Sequence, residues 1–240
     1  MKSKHWVKAM RKTLAIVFTA SFLFSNTIVF GIGGAGTVRN ASREAVVAKY
    51  TTDLTQLGRE GRLRQDLSLE SEAIRLTNAL AEGGLRQPVL VTELRETRNT
   101  IVEQLAIRIA NGDVPEALAG RDLVRLDVDS VYSNAANSND FEALVSSILD
   151  DAVSDHGKKI LFIDDLGFVL QHKNVADRIL SCVAEGKIAV IGGSSASDYR
   201  DRIDADGRFS KAFTAFEIKD IRTASSGDAA STQSGSYRGG

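Results

Sequence analysis

The sequence has little of what disulfide-stabilised, metal-binding or nucleic-acid-binding proteins need. Its single cysteine, Cys182, excludes an intramolecular disulfide framework, and it falls on an apolar helical stripe that predicts a buried thiol. The three histidines, His5, His156 and His172, do not have the spacing of metal ligands. Thirty Lys and Arg residues against 31 Asp and Glu give a net charge of −1, so no basic excess favours a nucleic acid.

The cations are concentrated at the amino terminus. Residues 1–36 hold five cations and no acid, which leaves 25 cations against 31 acids, a net charge of −6, in residues 37–240. A negatively charged body argues against a polyanionic partner, and we expect no nucleic acid.

Two apolar runs, Leu14–Phe24 and Thr27–Ile32, follow these five cations. Residues 1–36 would be a cleaved signal peptide if the small residues at 33–36 are the cleavage site. They would be an uncleaved signal anchor if residues 13–32, about 20 residues, span a bilayer. Both interpretations stay open, and both place the folded domain outside the cytoplasm, either exported or anchored in the inner membrane.

Short apolar runs alternate with helical patterns through the rest of the chain. All-apolar strands need a parallel sheet that is covered on both faces, so we expect a three-layer α/β sandwich around a five-stranded parallel sheet. The predicted strands are Pro88–Val91, Leu123–Val128, Ile160–Ile163, Ile188–Ile191 and about Ala212–Ile218, and the predicted helices lie near 100–110, 139–153, 173–184 and 197–205.

The segments outside these strands complete the predicted organisation. Residues 37–48 are predicted to be a linker before an α/β domain over 49–222, and helical segments are expected at Ala45–Gly61 and Leu69–Glu82. Residues 223–240 are rich in Ser, Gly and Ala, have little to bury, and are predicted to be a disordered tail.

The connection after the first predicted strand contains no glycine. It runs from Thr92 to Asn99 and leads into a helix, which is the layout of a strand, a phosphate-binding loop and a helix. A P-loop carries two glycines and a Lys-Ser/Thr pair in this connection, so that backbone N–H groups can wrap the phosphates. Here Thr92 and Thr97 stand at the glycine positions, and Arg98 and Asn99 stand at the pair. The segment therefore predicts both the fold and the loss of its usual chemistry.

Four segments resemble the first AAA+ module of the Clp-type unfoldases, the ClpA/ClpB/ClpC group. They are KYTTDLTQLGREGRL (49–63), IVEQLAIRIANGDVPEAL (101–118), KKILFIDDLG (158–167) and SDYRDRID (197–204). The resemblance implies a parallel sheet with the strand order 5-1-4-3-2. Since the sequence after residue 222 has little to bury, it also implies that the helical lid of that family is lacking.

The resemblance assigns the Walker B positions to Asp164 and Asp165. Asp164 stands where an acid holds Mg²⁺ through water, and Asp165 stands where a Glu activates the attacking water. The shorter Asp side chain would withdraw this base by roughly 1.5 Å, and 1 Å of misplacement can cost on the order of a hundredfold in rate. The alternative is that both acids merely end a strand. Ser194 and Ser195 are the polar remnant at the sensor 1 position.

Arg95 and Arg98 are the cations of the Thr92–Asn99 connection. Two arginines could hold an anion by charge-assisted hydrogen bonds. We favour the other interpretation, in which they pair with Glu93, Glu96 or Glu103 on a solvated surface.

Three further positions of the family pattern have changed. The segment that packs adenine in the family corresponds to Leu67–Glu70. The arginine fingers correspond to Ser210–Phe213, where Lys211 is the only cation. The pore tyrosine corresponds to Asn137, within Asn134–Asn139. Changes in several separate parts of the mechanism indicate relaxed selection on ATP hydrolysis.

The sequence therefore predicts a catalytically degenerate Clp-like domain, a pseudo-ATPase that is exported or membrane-anchored and contacts a partner protein. No cofactor and no catalytic residue are expected. If the amino-terminal segment is not cleaved, residues 13–32 would contact the membrane. One alternative is a divergent ATP-binding AAA+ ATPase or chaperone component that uses ATP and Mg²⁺ through Asp164, Asp165, Ser194 and Arg98. Another is a noncatalytic subunit in a ring of intact AAA+ partners, which requires a cytoplasmic domain.

Overall fold

The computed structural model describes residues 35–83, 86–154 and 157–218, with side chains from residue 43 onward. The chain divides into two units, 1–40 and 41–240, and the description below concerns the second. The apolar segment 13–32 and the tail 223–240 lie outside the described residues. Among the helices that are described, none is long and apolar enough to cross a membrane.

Helices and strands alternate along the described chain as the apolar pattern predicts. The strands are β1 (Thr51–Asp53), β2 (Gln87–Val91), β3 (Asp122–Leu126), β4 (Lys159–Ile163), β5 (Ala189–Ser194) and β6 (Phe213–Glu217). The helices are α1 (Ala35–Tyr50), α2 (Leu54–Arg59), α3 (Glu70–Ala81), α4 (Arg95–Asn111), α5 (Val128–Asn134), α6 (Ser138–Ser154), α7 (Leu166–Val169), α8 (Lys173–Ala184), α9 (Ala196–Asp198) and α10 (Phe209–Ala212). Short 3₁₀ turns lie at Leu67–Leu69 and Glu116–Leu118, and a π-helical turn at Tyr199–Asp204.

The described strands form one sheet in the order β1-β3-β4-β5-β2-β6. The five strands from β2 to β6 pair in parallel, and their order is the predicted 5-1-4-3-2. The sheet nevertheless has a sixth strand that the sequence analysis missed, because β1 pairs antiparallel with β3 at the edge. With only three half-buried residues, β1 carries no alternating pattern from which it could be predicted.

Side chains alternate between two apolar cores along each central strand, which confirms the three-layer sandwich. In β4, Leu161 and Ile163 face a core formed with α6 and α8, whereas Ile160 and Phe162 face a core formed with α3 and α4. All four of these side chains are at most 1% exposed. Burial on both faces explains why the strand is continuously apolar rather than alternating.

Two predicted element boundaries differ from the structure. The predicted helical segment Ala45–Gly61 is interrupted by β1, and residues 37–48, the predicted linker, are helical within α1. The connection after β2 is also shorter than predicted, because α4 begins at Arg95 rather than near residue 100. The second difference matters for the site, since Arg95–Asn99 belong to the first turns of a helix and not to a loop.

Candidate functional site

The candidate site lies at the carboxyl edge of the sheet, where β2, β4 and β5 end side by side. β2 leads through Thr92–Leu94 into α4, β4 leads into Asp164 and Asp165, and β5 ends at Ser194. The Thr92 N–H donates to the Ser194 carbonyl at 3.2 Å, which ties the first connection to the end of β5. This confirms the prediction that Thr92–Asn99 and Asp164 share one edge of the sheet.

Arg98 and Asp164 form a buried ion pair at the centre of this site. The Arg98 Nε donates to Asp164 Oδ1 at 2.6 Å, and Nη2 donates to Asp164 Oδ2 at 3.3 Å. Nη1 donates to the Thr92 carbonyl at 2.6 Å. Arg98 is 3% exposed and Asp164 is 7% exposed. A bidentate contact of this kind joins the planar guanidinium to both carboxylate oxygens and leaves neither charge unpaired.

Gly193 on β5 provides the space that this ion pair occupies. A Cβ atom at Gly193 would overlap Asp164 Oδ1 and lie 3.0 Å from Arg98 Nε. Any larger residue at this position would therefore displace the Asp164 carboxylate or the guanidinium. The glycine is used here for close approach of two side chains to the backbone, not for an unusual backbone conformation.

Arg95, one turn earlier on α4, joins the pair to two further carboxylates. Its Nη1 donates to Asp129 Oδ2 at 2.8 Å, its Nε lies 3.4 Å from Asp164 Oδ2, and its Nη2 pairs with Asp165. Arg98 Nη2 also lies 3.8 Å from Asp165 Oδ1. The result is a network of two guanidinium groups and three carboxylates, which leaves one excess negative charge.

Asp165 has a perturbed pKa at this edge of the sheet. Burial raises the pKa of this carboxyl above its usual value, and the neighbouring Asp164 charge raises it further, while Arg95 and Arg98 act in the opposite direction. For Arg95, burial acts to lower the pKa, but Asp165, Asp164 and Asp129 together raise it above the ordinary value. Asp165 is also the one non-glycine residue of the described chain with a positive φ, 56°, a conformation that Asp and Asn tolerate better than most residues.

The expectation that Arg95 and Arg98 pair with nearby glutamates was wrong. Glu93 instead accepts a hydrogen bond from the Ala196 N–H at 3.0 Å, and Glu103 lies 3.5 Å from Arg125. Both arginines turn toward the end of β4 because α4 begins at Arg95, so that residues 95 and 98 fall on one helical face.

The other predicted site residues have local roles. Thr92 Oγ1 accepts from the Leu94 N–H at 3.3 Å, and Thr97 lies half-buried in the first turn of α4. Asn99 faces a cavity of about 200 Å³ beside Arg95. Ser195 caps α9 by accepting from the Asp198 N–H at 3.1 Å.

Ser194 differs from these residues, because its hydroxyl is buried and has no hydrogen-bond partner. The sequence analysis picked out this serine but could not predict that its hydroxyl would be left unpaired. It missed Asp129 and the role of Gly193 altogether. The available signal for Asp129 was its position just beyond the end of β3, at the same edge of the sheet as the ends of β2, β4 and β5.

At the positions where the resemblance places the metal and the phosphates, the described residues contact one another. Both Asp164 oxygens accept hydrogen bonds from Arg98. The connection Thr92–Leu94 has no glycine, and the Thr92 hydroxyl already accepts from the Leu94 N–H that a phosphate would need. Glu93 adds a negative charge to the same connection.

The remaining residues singled out by the resemblance lie away from the ion-pair network. Asn137 caps the start of α6 by accepting from the Asp140 N–H at 3.1 Å, and Lys211 lies in the short helix α10. Leu67, which the resemblance assigned to the adenine-packing position, is 70% exposed.

Comparison with known proteins identifies the class to which this domain belongs. The chain is 31% identical over 172 residues to the chaperone protein ClpB of Corynebacterium glutamicum, 32% identical over 176 residues to that of Propionibacterium freudenreichii, and 31% identical over 196 residues to that of Rhodopirellula baltica. These matches cover 69%, 71% and 78% of this chain but only 20–22% of the relatives. The chain thus spans about a fifth of their length. A scan against models of protein families found no match.

Solved structures agree with the sequence relatives. Hsp104 in a closed state with ATPγS and FITC casein superposes with a TM-score of 0.66 and 29% identity, covering 72% of this chain and 31% of Hsp104. The Saccharomyces cerevisiae Hsp104–ADP complex superposes with a TM-score of 0.65 and 28% identity, with 72% and 30% of the two chains covered. The described fold is an AAA+ α/β domain. More specifically, it is a Clp-type AAA+ module of the kind found in ClpB and Hsp104.

The buried ion pair predicts a strong energetic coupling between Arg98 and Asp164. Arg98→Met would leave the Asp164 carboxylate buried without its main partner and should lower the free energy of unfolding by about 3–5 kcal/mol. Combining it with Asp164→Asn should cost less than the sum of the two single changes, with a coupling of about 2 kcal/mol. Urea denaturation of all four proteins measures this.

The exposed pair Lys173–Asp177 on α8 provides the matched control. Lys173→Met and Asp177→Asn should couple by no more than about 0.5 kcal/mol, because solvent screens the two charges. A coupling as small as this between Arg98 and Asp164 would contradict the described ion pair.

Proposed function

We propose that the domain is a noncatalytic Clp-like module that contacts a partner protein and whose nucleotide site is closed by the Arg98–Asp164 pair. The single observation that carries the proposal is the buried guanidinium on the carboxylate that would hold the metal. Removing Arg98 from this place would expose a carboxylate with few other partners, so the pair resists opening.

Two further features support the absence of hydrolysis. Asp165, at the position of the water-activating Glu, is one methylene shorter and is paired with Arg95. Lys211, near the position of the arginine fingers, is the sole cation of Ser210–Phe213. These defects fall on separate steps of phosphoryl transfer, and the loss of one trans arginine alone can cost on the order of 10³ in rate.

A second candidate, a divergent ATP-binding chaperone component, draws its support from the relatives. These are chaperone proteins, and two of the matching Hsp104 structures are complexes with ATPγS or ADP. The relatives favour this candidate more directly than the noncatalytic one, whereas the geometry of Arg98 favours the noncatalytic one. Both candidates include a protein partner, in keeping with the casein bound to Hsp104.

Nucleotide binding distinguishes the two candidates. A nucleotide at about 100 times its Kd would stabilise the folded state by about 2.7 kcal/mol, which is about 5–10 °C in Tm for a domain of this size. We expect no shift when ATPγS and Mg²⁺ are added to the purified protein, and phosphate release from ATP at the background rate.

Two controls make this measurement decisive. A module from ClpB of Corynebacterium glutamicum, measured in parallel, shows the shift that a binding module gives. Should this chain bind in the micromolar range and turn over ATP, Asp164→Ala should abolish turnover and Asp113→Ala, at the opposite end of the sheet, should not. That outcome would establish the ATP-binding candidate and reject the noncatalytic one.

We further propose that the domain lies outside the cytoplasm. The support is the five cations followed by the apolar segment 13–32. A carboxyl-terminal alkaline phosphatase fusion should be active, and the same fusion without residues 1–36 should be inactive. A fluorescent protein that matures only in the cytoplasm should be dark on the full chain. The reverse pattern would contradict export and support the ring-subunit interpretation.

A further inference from the structure

A cavity of about 340 Å³ lies beside the ion-pair network, between the carboxyl ends of β3, β4 and β5. It is separate from the connection Thr92–Asn99, none of whose residues lines it. Its walls instead come from α5, α7 and the segment after β5, and they combine acidic, aromatic and hydroxyl groups. The cavity is therefore lined by a different set of side chains from the phosphate-binding position of the family.

Ser194 contributes an unpaired hydroxyl to the wall of this cavity. Ser194 lines the cavity, is 1% exposed, and its Oγ has no hydrogen-bond partner among the described residues. A buried hydroxyl without a partner is costly, and such groups in proteins are nearly always satisfied. A ligand with an N–H donor would satisfy it.

The charges at the cavity specify the sign of that ligand. Asp129 and Asp165 line the cavity and belong to the network in which three carboxylates share two guanidinium groups. Arg202, the cation that lines the cavity, is 3.1 Å from Asp198 and is neutralised by it. Asp165 is paired with Arg95, and its Oδ1 lies 3.8 Å from Arg98 Nη2. The network as a whole therefore carries one excess negative charge beside the cavity.

Two aromatic rings form the outer wall. Tyr132 and Phe168 meet edge to face with centroids 5.3 Å apart, and Tyr132 is 61% exposed. Aromatic faces attract organic cations as well as apolar groups. The cavity thus places acidic and hydroxyl acceptors near apolar ring surfaces within one small volume.

We propose that this cavity binds a small organic monocation, an ammonium or amidinium group on a compact aromatic or apolar body, with Asp165 and Ser194 as its acceptors. The same cationic group can come from a free small molecule or from a basic side chain of a bound protein. The cavity volume and the two aromatic rings can accommodate the cationic group from either source. The titration described below distinguishes a free small molecule from a side chain of a bound protein. The proposal does not depend on whether the domain hydrolyses ATP.

Benzamidinium tests the charge requirement, because benzamide has nearly the same shape without the charge. Isothermal titration of the full chain should show saturable 1:1 binding of benzamidinium, and benzamide should bind at least about tenfold more weakly. Tighter binding of N-acetyl-arginine amide than of benzamidinium would identify a chain-borne side chain as the source, and weaker binding a free molecule. Equal binding of benzamidinium and benzamide, or no binding of either, would overturn the proposal.

Two variants tie binding to the named atoms. Ser194→Ala removes the unpaired hydroxyl without loss of an internal hydrogen bond and should weaken benzamidinium binding about fivefold. Asp165→Asn removes the charge, keeps a residue that tolerates positive φ, and should weaken it about tenfold. Asp113→Asn, on the loop after α4, should leave binding unchanged. Melting curves confirm that each variant is folded, and wild-type affinity in both site variants would refute the assignment.

Discussion

The ion pair between Arg98 and Asp164 is the contact on which the rest of the site depends. Its burial requires Gly193, because a side chain there would fill the space of the carboxylate, and it requires α4 to begin at Arg95 so that Arg98 faces the end of β4. The Thr92 carbonyl completes the coordination of the guanidinium. Three strand ends are therefore held together by one charged contact, and removing either partner would leave a buried charge.

The sheet was predictable because its central strands are buried on both faces and are therefore continuously apolar, as Ile160–Ile163 illustrates. The position of Asp164 beside the start of α4 was predicted from the strand order that the Clp resemblance implies. The edge strand β1 was missed because its three residues are all half-buried and show no alternation of apolar and polar side chains. The pairing of Arg95 and Arg98 was wrong because glutamates close in sequence were favoured over Asp129, Asp164 and Asp165, which only the folded sheet brings near.

The domain has the framework of the Clp-type AAA+ class, with a buried ion pair at the carboxyl edge of its sheet. About 30% identity to ClpB and a TM-score of 0.66 to Hsp104 reflect a conserved arrangement of apolar strands and helices. At the edge of the sheet, Arg98 is the main counter-charge of Asp164. The neighbouring cavity, with its unpaired Ser194 hydroxyl and excess negative charge, is a separate consequence of the same strand ends.

A crystal structure of the protein grown with Mg²⁺ and ATPγS tests the central claim most directly. The account predicts that Arg98 Nε remains within hydrogen-bond distance of Asp164 Oδ1, as in the 2.6 Å contact described above, with no metal on the carboxylate. A Mg²⁺ ion bound through Asp164, with Arg98 displaced from it and a triphosphate beside Thr92–Leu94, would contradict the account.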